Sequence, residues 1–400
     1  MNQGQVILPG STIGILGGGQ LGRMMTLSGR QMGYRFVTLD PVEDGPCGQV
    51  ADEQIVANYD DFQAGEKLAE LADVITYEFE NVDASVADML FNKSYVPQGS
   101  QLLYTTQHRL REKIAIEAAN VPVAPYAEIK TVQELAEAVE RFGVPCVLKT
   151  AVGGYDGKGQ WVIRSKAEIS EAFNTLSKAK TDLVLEQFIH FEKELSVVAA
   201  RNLDGQVSTF PVAENIHVDN ILHTSIVPAR INEDIQDRAR QLATNIAKSL
   251  NVVGLIAVEM FYTKDGELYV NELAPRPHNS GHYTMDACYT SQFEQHIRAI
   301  CNLPLQSTEL ICPVVMVNIL GEHVDPLLKW MEQNDQSSSQ DLIVKVHLYG
   351  KKEAKAKRKM GHINLLTNNI NQALDWIDST GIWEKKSLRG CSKSPLLITK

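Results

Sequence analysis

The sequence predicts a mixed α/β fold divided into two or three domains, and three observations carry that reading. Strand-like and helix-like stretches alternate from Ser11 to Tyr77, the pattern of a parallel sheet wrapped by helices. Two glycine-rich loops follow strands, GGGQLG running into a helix and GGYDGKGQ running into another strand. A hairpin signal, Asp265-Gly266 between Val258 to Tyr262 and Leu268 to Asn271, opens a third region rich in strands.

Composition bounds the function. A chain of 400 residues with 44% hydrophobic and 22% charged residues can bury several cores and reads as soluble. Its net charge of -11 argues against a general nucleic-acid binder, and no apolar run reaches bilayer-spanning length, so neither a nucleic acid nor a membrane is expected as a partner. Six cysteines without paired spacing suggest neither a disulfide framework nor a zinc site. The N-terminus lacks a cationic-then-apolar signal, so a cytoplasmic location is expected.

From Ser11 to Asp40 the order is strand, glycine loop, helix, strand. Gly17, Gly19 and Gly22 fit G-x-G-x-x-G, and Asp40 closes the second strand where a ribose-binding acid would stand. On these residues alone an NAD-dependent oxidoreductase is an alternative, because a helix N-terminus attracts phosphate; a tight turn without a ligand is another. A strand from Ala51 to Val56, an amphipathic stretch from Asp60 to Leu71 and a strand from Asp73 to Tyr77 continue the alternation. The last ends in YEFENV, which puts Tyr77, Glu78 and Glu80 at a strand's carboxyl end, where open α/β sheets bind ligands and where plain polar loops also occur.

The segment TTQHRLREKIAIEAAN reads as a helix carrying Arg109, and VPVAP stops it, marking a boundary with a second domain. Arg109 could reach a phosphate or lie on an ordinary helix surface. Strand Cys146 to Thr150 then leads into GGYDGKGQ, where G-K-G replaces the G-K-[ST] of a Walker loop and a strand follows instead of a helix. Such a loop can fold over a triphosphate as a lid, with Lys149 and Lys158 neutralising charge, although a flexible hairpin tip has the same composition. In LVLEQFI, Glu186 and Gln187 can meet a purine edge, Glu194 is available to ribose hydroxyls, and His217 is a weaker candidate nearby.

A two-residue turn at Asp265-Gly266 would make Lys264 face Glu267 and set Glu259 opposite Glu272. Opposed carboxylates repel, so that register asks for a proton or a cation, and paired hard oxygens suit Mg²⁺. A three-residue loop would break the register and leave two solvated acids. The following ELAPRPHNSGH gathers Arg276, His278, Asn279 and Ser280 on a proline-fixed turn, a donor set for a small oxyanion such as bicarbonate, or an ordinary polar loop.

Pro313 to Leu320 and Leu342 to Tyr349 read as strands of a small β-rich tail, not a helical cap, joined to the middle of the chain by a helix from Ser291 to Cys301. The run KKEAKAKRK, Lys351 to Lys359, carries six cations and one acid, which suits a phosphate or a solvated basic loop. NDQSSSQD is a short polar loop, and there is no internal repeat.

Taken in order, GGGQLGRM, YEFENV, GGYDGKGQ, EQFI, NELAPRPHNSGH and KRKMGH make the chain resemble the ATP-grasp family over almost its whole length, and within it the enzymes that carboxylate aminoimidazole ribonucleotide. The resemblance implies an α/β ATP-grasp fold: a Rossmann-like pre-ATP-grasp domain over 1–104, a two-lobed ATP-grasp domain over 105–300 with a lid at about 124–190, and a small β-rich C-terminal domain over 301–400. It implies ATP with Mg²⁺, for which Mn²⁺ can substitute, aminoimidazole ribonucleotide and bicarbonate as substrates, and a homodimer.

By the same resemblance Arg109, Lys149 and Lys158 would hold phosphates under the lid residues Gly154, Tyr155, Asp156, Gly157, Gly159 and Gln160. Glu186, Gln187, Phe188 and Ile189 would meet adenine, Glu194 the ribose, with His217 nearby. Glu259 and Glu272 would bind the metal with Asn271 adjacent, although strict alternation turns Asn271 away from Glu272. Arg276, His278 and Asn279 would bind bicarbonate and, with Asp156 and Lys158, form the catalytic set. Gln20, Glu78, Tyr155, Asp156 and Arg276 would approach the ribonucleotide's base, with Lys352 and Arg358 on its phosphate. The implied reaction is ATP-dependent carboxylation through carboxyphosphate in purine biosynthesis. The alternatives are a ligase of the same fold with another acceptor, like biotin carboxylase or the formate-using glycinamide ribonucleotide transformylase, and a nucleotide-binding regulator without catalysis.

Overall fold

A computed structural model describes residues 4–80, 82, 84–153, 158–333 and 341–383. Its first sheet has four parallel strands in the order Glu53–Ile55, Arg35–Leu39, Thr12–Leu16, Val74–Tyr77. The strands are apolar on both faces because helices cover both. Ile13 and Ile15 pack on Met24 and Met25 of helix Gln20–Gln31, while Leu16, Val37 and Leu39 pack on Leu68 of helix Phe62–Leu71. Asp61 caps the second helix through the amides of Gln63 and Ala64.

The second sheet is antiparallel, in the order Tyr126–Ile129, Leu183–Gln187, Cys146–Thr150, Gln160–Ile163. Helices Val132–Phe142 and Ile169–Leu176 cover one face, burying Leu135, Val139 and Ala172 against Leu148 and Leu185. Its hairpin pairs Lys149 with Gln160. The loop residues Gly154, Tyr155, Asp156 and Gly157 expected there lie outside the described residues, as do residues 334–340 of the polar NDQSSSQD stretch.

The third sheet has nine strands. Along its path run Leu268–Ala274, Gly254–Thr263, Phe191–Arg201, Ala213–Val218, Ile221–Val227, Val314–Leu320, Lys359–Leu366 and Ile343–Leu348, with Val207–Thr209 paired off the path. Helix Glu233–Ser249 seats Ala239, Leu242, Ala243 and Ile246 on its central strands.

The strands of the tail therefore join the large sheet instead of forming one of their own. Strand Val314–Leu320 pairs antiparallel with Ile221–Val227, from Thr224↔Val317 to Val227↔Val314, and covers an apolar edge that would otherwise stand open to other chains. The β-rich tail also carries helices. Helices Val324–Gln333 and Ile370–Ser379 bury Leu327, Leu374 and Ile377 against Val315, Val317 and Ile363. Helix Gln292–Ile300, capped by Ser291, joins the parts by packing Phe293, Ile297 and Ile300 among Ile13, Ile15 and Tyr349. Among the described residues no helix is long and apolar enough to cross a membrane.

A fragment ending at Cys312 would lose the partner of the Ile221–Val227 edge. It is expected to pellet on ultracentrifugation under conditions where the full chain stays in the supernatant; a soluble, monodisperse fragment would show that the seam is dispensable.

Candidate active site

The glycine loop does not offer its amides to a ligand. Gly18 N donates to Asp40 Oδ2 at 2.7 Å and Leu21 N to Glu78 Oε1 at 3.0 Å, and Gly19 N also donates to Glu78. Tyr59 OH completes Asp40 at 2.6 Å. The helix N-terminus that a dinucleotide pyrophosphate would need is thus filled by the chain's own carboxylates, and the NAD reading of G-x-G-x-x-G falls. Burial is the main influence on Glu78; with the Asp40 charge, it raises the carboxyl above its usual range against three amide hydrogen bonds. Gln20 stands half-buried at the start of the same helix.

A cationic cluster lines the space between the second and third sheets. Arg109 opens helix Arg109–Ala118, and Lys113, one turn on, shares its face. Lys149 Nζ donates to Glu186 Oε2 at 2.9 Å, and Lys113 Nζ lies 3.3 Å from Glu186 Oε1. Glu186 is thus held inside the cation cluster, by a hydrogen bond at Oε2 and an ion pair at Oε1. Burial would raise this carboxyl, but Lys149, Lys113 and Arg109 outweigh it and hold it down to about 2. Burial also lowers the Lys149 ammonium, despite Glu186. Lys113 lies outside the expected set, although its four-residue spacing from Arg109 in RLREK is a usable signal. Gln187 N is taken by Pro125 O at 2.8 Å, and Phe188 and Ile189 follow the strand end half-buried. Lys158 is exposed, with Gly159 accepting from Thr150 N at 2.8 Å and Gln160 starting the next strand.

Glu194 Oε2 and His217 Nδ1 lie 2.7 Å apart. Burial opposes the imidazolium, yet the Glu194 charge and hydrogen bond, with Glu259 behind them, lift His217 to about 9.

The hairpin reaches the expected pairing by a different route. Its loop has three residues, not two: Tyr262 pairs with Leu268, and Gly266 takes a left-handed φ of 83°. That register alone would slide the glutamates apart. A β-bulge intervenes, pairing Met260 with Val270 but Glu259 with Glu272, so Asn271 is the extra residue and Glu259 again faces Glu272. Such a bulge interrupts strict alternation, which was the objection to placing Asn271 beside Glu272. Desolvation in the cleft and then the Glu259 charge raise the Glu272 carboxyl; for Glu259 desolvation is outweighed by His278, His217 and Lys359, which keep it low. Arg109 Nη1 approaches Glu272 Oε2 at 3.7 Å. Among the described residues no three His, Cys, Asp or Glu side chains form a metal cage. Two opposed carboxylates on one cleft wall still fit a hard divalent cation that keeps water and phosphate in its remaining positions.

Beyond the hairpin, His278 Nε2 lies 3.0 Å from Glu259 Oε1, and both polar side-chain atoms of Asn279 are buried without a hydrogen-bond partner among the described residues. Arg276 differs from expectation. Its Nη2 donates to Glu80 Oε1 at 3.1 Å, its Nε to the other oxygen of Glu80, and its Nη1 to Pro277 O at 3.2 Å, so the fork is not an open anion clamp. Glu80, just past the strand's carboxyl end, thus acts by holding Arg276.

The basic run is latched to the first domain by Gln49 Nε2 donating to Gly350 O at 2.9 Å. Lys352 turns outward to Asp44, 3.3 Å away on the surface. Its neighbour Lys351 is the half-buried cation, with Nζ donating to Lys359 O at 2.7 Å. Burial foremost, then Arg358 and Lys359, lowers its ammonium to about 8, opposed by nearby Glu78. Arg358 is half-buried and donates to Glu353 O at 3.0 Å.

The ATP-grasp domain family matches residues 114–293, the ribonucleotide synthetase preATP-grasp domain 10–107 and the phosphoribosylaminoimidazole carboxylase C-terminal domain 314–375. An N5-carboxyaminoimidazole ribonucleotide synthase from Bacillus subtilis is 54% identical over 362 residues, 90% of this chain and 93% of the relative. The chain belongs to the N5-carboxyaminoimidazole ribonucleotide synthase family. Another member, from Staphylococcus epidermidis, is 45% identical over 91% of this chain and 94% of its own. Among solved structures, an ADP complex of an N5-carboxyaminoimidazole ribonucleotide synthetase superposes with a TM-score of 0.90 at 56% identity, covering 95% of this chain and 98% of that one. A family member from Aspergillus clavatus, in complex with ADP and 5-aminoimidazole ribonucleotide, superposes with a TM-score of 0.84 at 30% identity, covering 92% and 97%. The α/β ATP-grasp fold with its preATP-grasp and C-terminal parts is that of the N5-carboxyaminoimidazole ribonucleotide synthase family.

Glu186→Gln would leave Lys149 and Lys113 against a neutral amide, and removing one partner of a buried ion pair typically costs about 3–5 kcal/mol. The folded carboxyl lies below its ordinary 4.5, so its contribution is present above that pH and is lost as pH falls toward about 2. Urea unfolding should show the full deficit at neutral pH and a closing gap below 4.5. A pH-independent deficit would remove the ion pair as its cause.

Proposed function

We propose that the chain carboxylates 5-aminoimidazole ribonucleotide on its exocyclic amine, using ATP and bicarbonate and passing through carboxyphosphate. The observation that carries the reading is the contact of Arg109 with Glu272, which joins a phosphate-suited cation cluster to a metal-suited carboxylate pair. ATP would place its phosphates against Arg109, Lys113, Lys149 and Lys158, its adenine along the backbone from Gln187 to Ile189, and its ribose near Glu194 and His217. Glu259 and Glu272, with Asn271, would hold Mg²⁺ or Mn²⁺, which when bound neutralises phosphate charge.

Bicarbonate would lie by His278 and Asn279, whose donors can stabilise the oxygens as the phosphoryl group transfers; Arg276 would contribute while held in place by Glu80. Catalysis of this kind is mainly positioning and charge stabilisation in a site closed to water. The loop holding Tyr155, Asp156 and Lys158 is the proposed cover. Carboxyphosphate would part by C–O cleavage into CO₂ and inorganic phosphate, and the CO₂ would meet the ribonucleotide amine near Gln20 and Glu78, forming a C–N bond as the amine's proton passes to the released phosphate. For the ribonucleotide phosphate, Lys351 with Arg358 takes the place of Lys352. A cytoplasmic homodimer is the proposed setting, and 1–104, 105–300 and 301–400 the proposed units, the last sharing its sheet with the second.

ADP release with Mg-ATP, omitting bicarbonate or the ribonucleotide in turn, tests the reaction alongside labelled-carbonate capture. Release needing both, with label trapped on the nucleotide, is expected; turnover with another acceptor alone would discard the substrate, and none with any acceptor would favour a regulator. For the phosphate site, Lys351→Ala should raise the KM for the ribonucleotide about tenfold, the worth of one charge-assisted hydrogen bond. Lys352→Ala should leave that constant unchanged, and the opposite ranking would restore Lys352 to the site.

A further inference from the structure

A row of polar side chains links the RPHNSGH turn to the large sheet. Ser196, Asn215 and Ser225 stand on three neighbouring strands of the large sheet, and Ser280 sits two residues after His278. All four are between 0% and 7% exposed, so each must find its partners within the protein. An ordinary polar core needs satisfied partners but no fixed direction. Here both nitrogens of one ring impose a direction.

The Glu259 carboxylate only accepts, and it stands 3.0 Å from His278 Nε2, so that nitrogen carries the hydrogen. On the other side of the ring the backbone N–H of Ser280, which only donates, points at Nδ1 from 3.4 Å, so Nδ1 presents its lone pair. The remaining links follow in turn. Ser280 Oγ, 2.8 Å away, donates its single hydrogen to Nδ1 and must accept from Ser196 Oγ at 2.7 Å. Ser196 then accepts from Asn215 Nδ2 at 2.8 Å, leaving Asn215 Oδ1 to accept from Ser225 Oγ at 2.7 Å. Gln292 clasps the backbone of His278, accepting from its N–H at 2.9 Å and donating to its carbonyl at 2.8 Å.

We infer that Glu259, the Ser280 amide and this row together hold His278 as an Nε2–H donor on the Glu259 side of the cleft, so His278 meets the reaction as a hydrogen donor shared with Glu259 and not as a base. Ser196, Asn215, Ser225 and Ser280 are positioning residues that act through the ring. The inference rests on the reading of His278 as a bicarbonate contact and adds the location of its hydrogen and what holds it there.

Nitrogen-15 histidine spectra of the full chain, with the His278 signals assigned by difference against His278→Asn, should show the protonated nitrogen at Nε2. The reverse tautomer would overturn the inference whatever the activity. Asn215→Asp is nearly the same shape and still accepts from Ser225, but it can no longer donate to Ser196, which turns each hydroxyl around and asks Nδ1 to donate to Ser280 while Glu259 still holds the hydrogen on Nε2. This variant should show a ring protonated on both nitrogens and a kcat lower by about tenfold or more, the usual scale for an orienting partner, with the KM for ATP held within about twofold. Unchanged tautomer and kcat would reduce the row to packing. Should the variant not fold, the wild-type spectrum decides alone. Failure of the wild-type enzyme to use aminoimidazole ribonucleotide would overturn the proposed reaction while leaving the tautomer result standing, so the two failures are distinguishable.

Discussion

Two like charges held face to face in a cleft are the constraint on which the rest of the site depends. Glu259 and Glu272 oppose each other because a bulge at Asn271 shifts the register of their hairpin. Unrelieved, that pairing would destabilise the sheet. Each carboxylate has a separate partner, His278 for Glu259 and Arg109 for Glu272, so the wall survives without a metal. Those partners belong to neighbouring parts of the site, His278 to the proposed bicarbonate turn and Arg109 to the cation cluster. A charge entering the cleft is therefore felt by both.

The ion pairs follow the same logic at longer range. Glu186 sits between two lysines from different elements, and Glu80 grips Arg276 from a strand end 196 positions earlier in the chain. Each pair holds a cation in place while leaving it close to where an anion would come. Together they make the separate sheets into one site, because the grip on each cation comes from a different part of the fold.

Much of this architecture was legible in the sequence. Alternation and loop chemistry located the strands of the first unit, the lid hairpin and the carboxylate hairpin, because those signals are local. The Glu259–Glu272 pairing is legible only by a cancellation: a two-residue turn is one residue short of the real loop, and the bulge restores what the longer loop shifts. Partners were less legible. Nothing local in EQFI says that Glu186 answers Lys113 and Lys149, or in KKEAKAKRK that Lys352 turns to Asp44 while Lys351 turns inward. Composition gives a residue its chemistry, and neighbours from elsewhere in the chain decide whether that chemistry is free.

The glycine loop makes the point most sharply. Its sequence suits a phosphate, but in an open α/β unit the same amides can be closed by acids at neighbouring strand ends, and Asp40 and Glu78 do so here. Once those donors are taken, any phosphate near this domain must be met by side-chain cations. An acidic chain has few to offer locally, and the first sheet's carboxyl edge presents Glu78 and Glu80 instead. The run from Lys351 to Lys359, carried on the far end of the large sheet and latched back through Gln49, brings positive charge to that edge. The extension of the large sheet by the tail is thus more than edge protection, since it sets the basic run against the domain that lacks one.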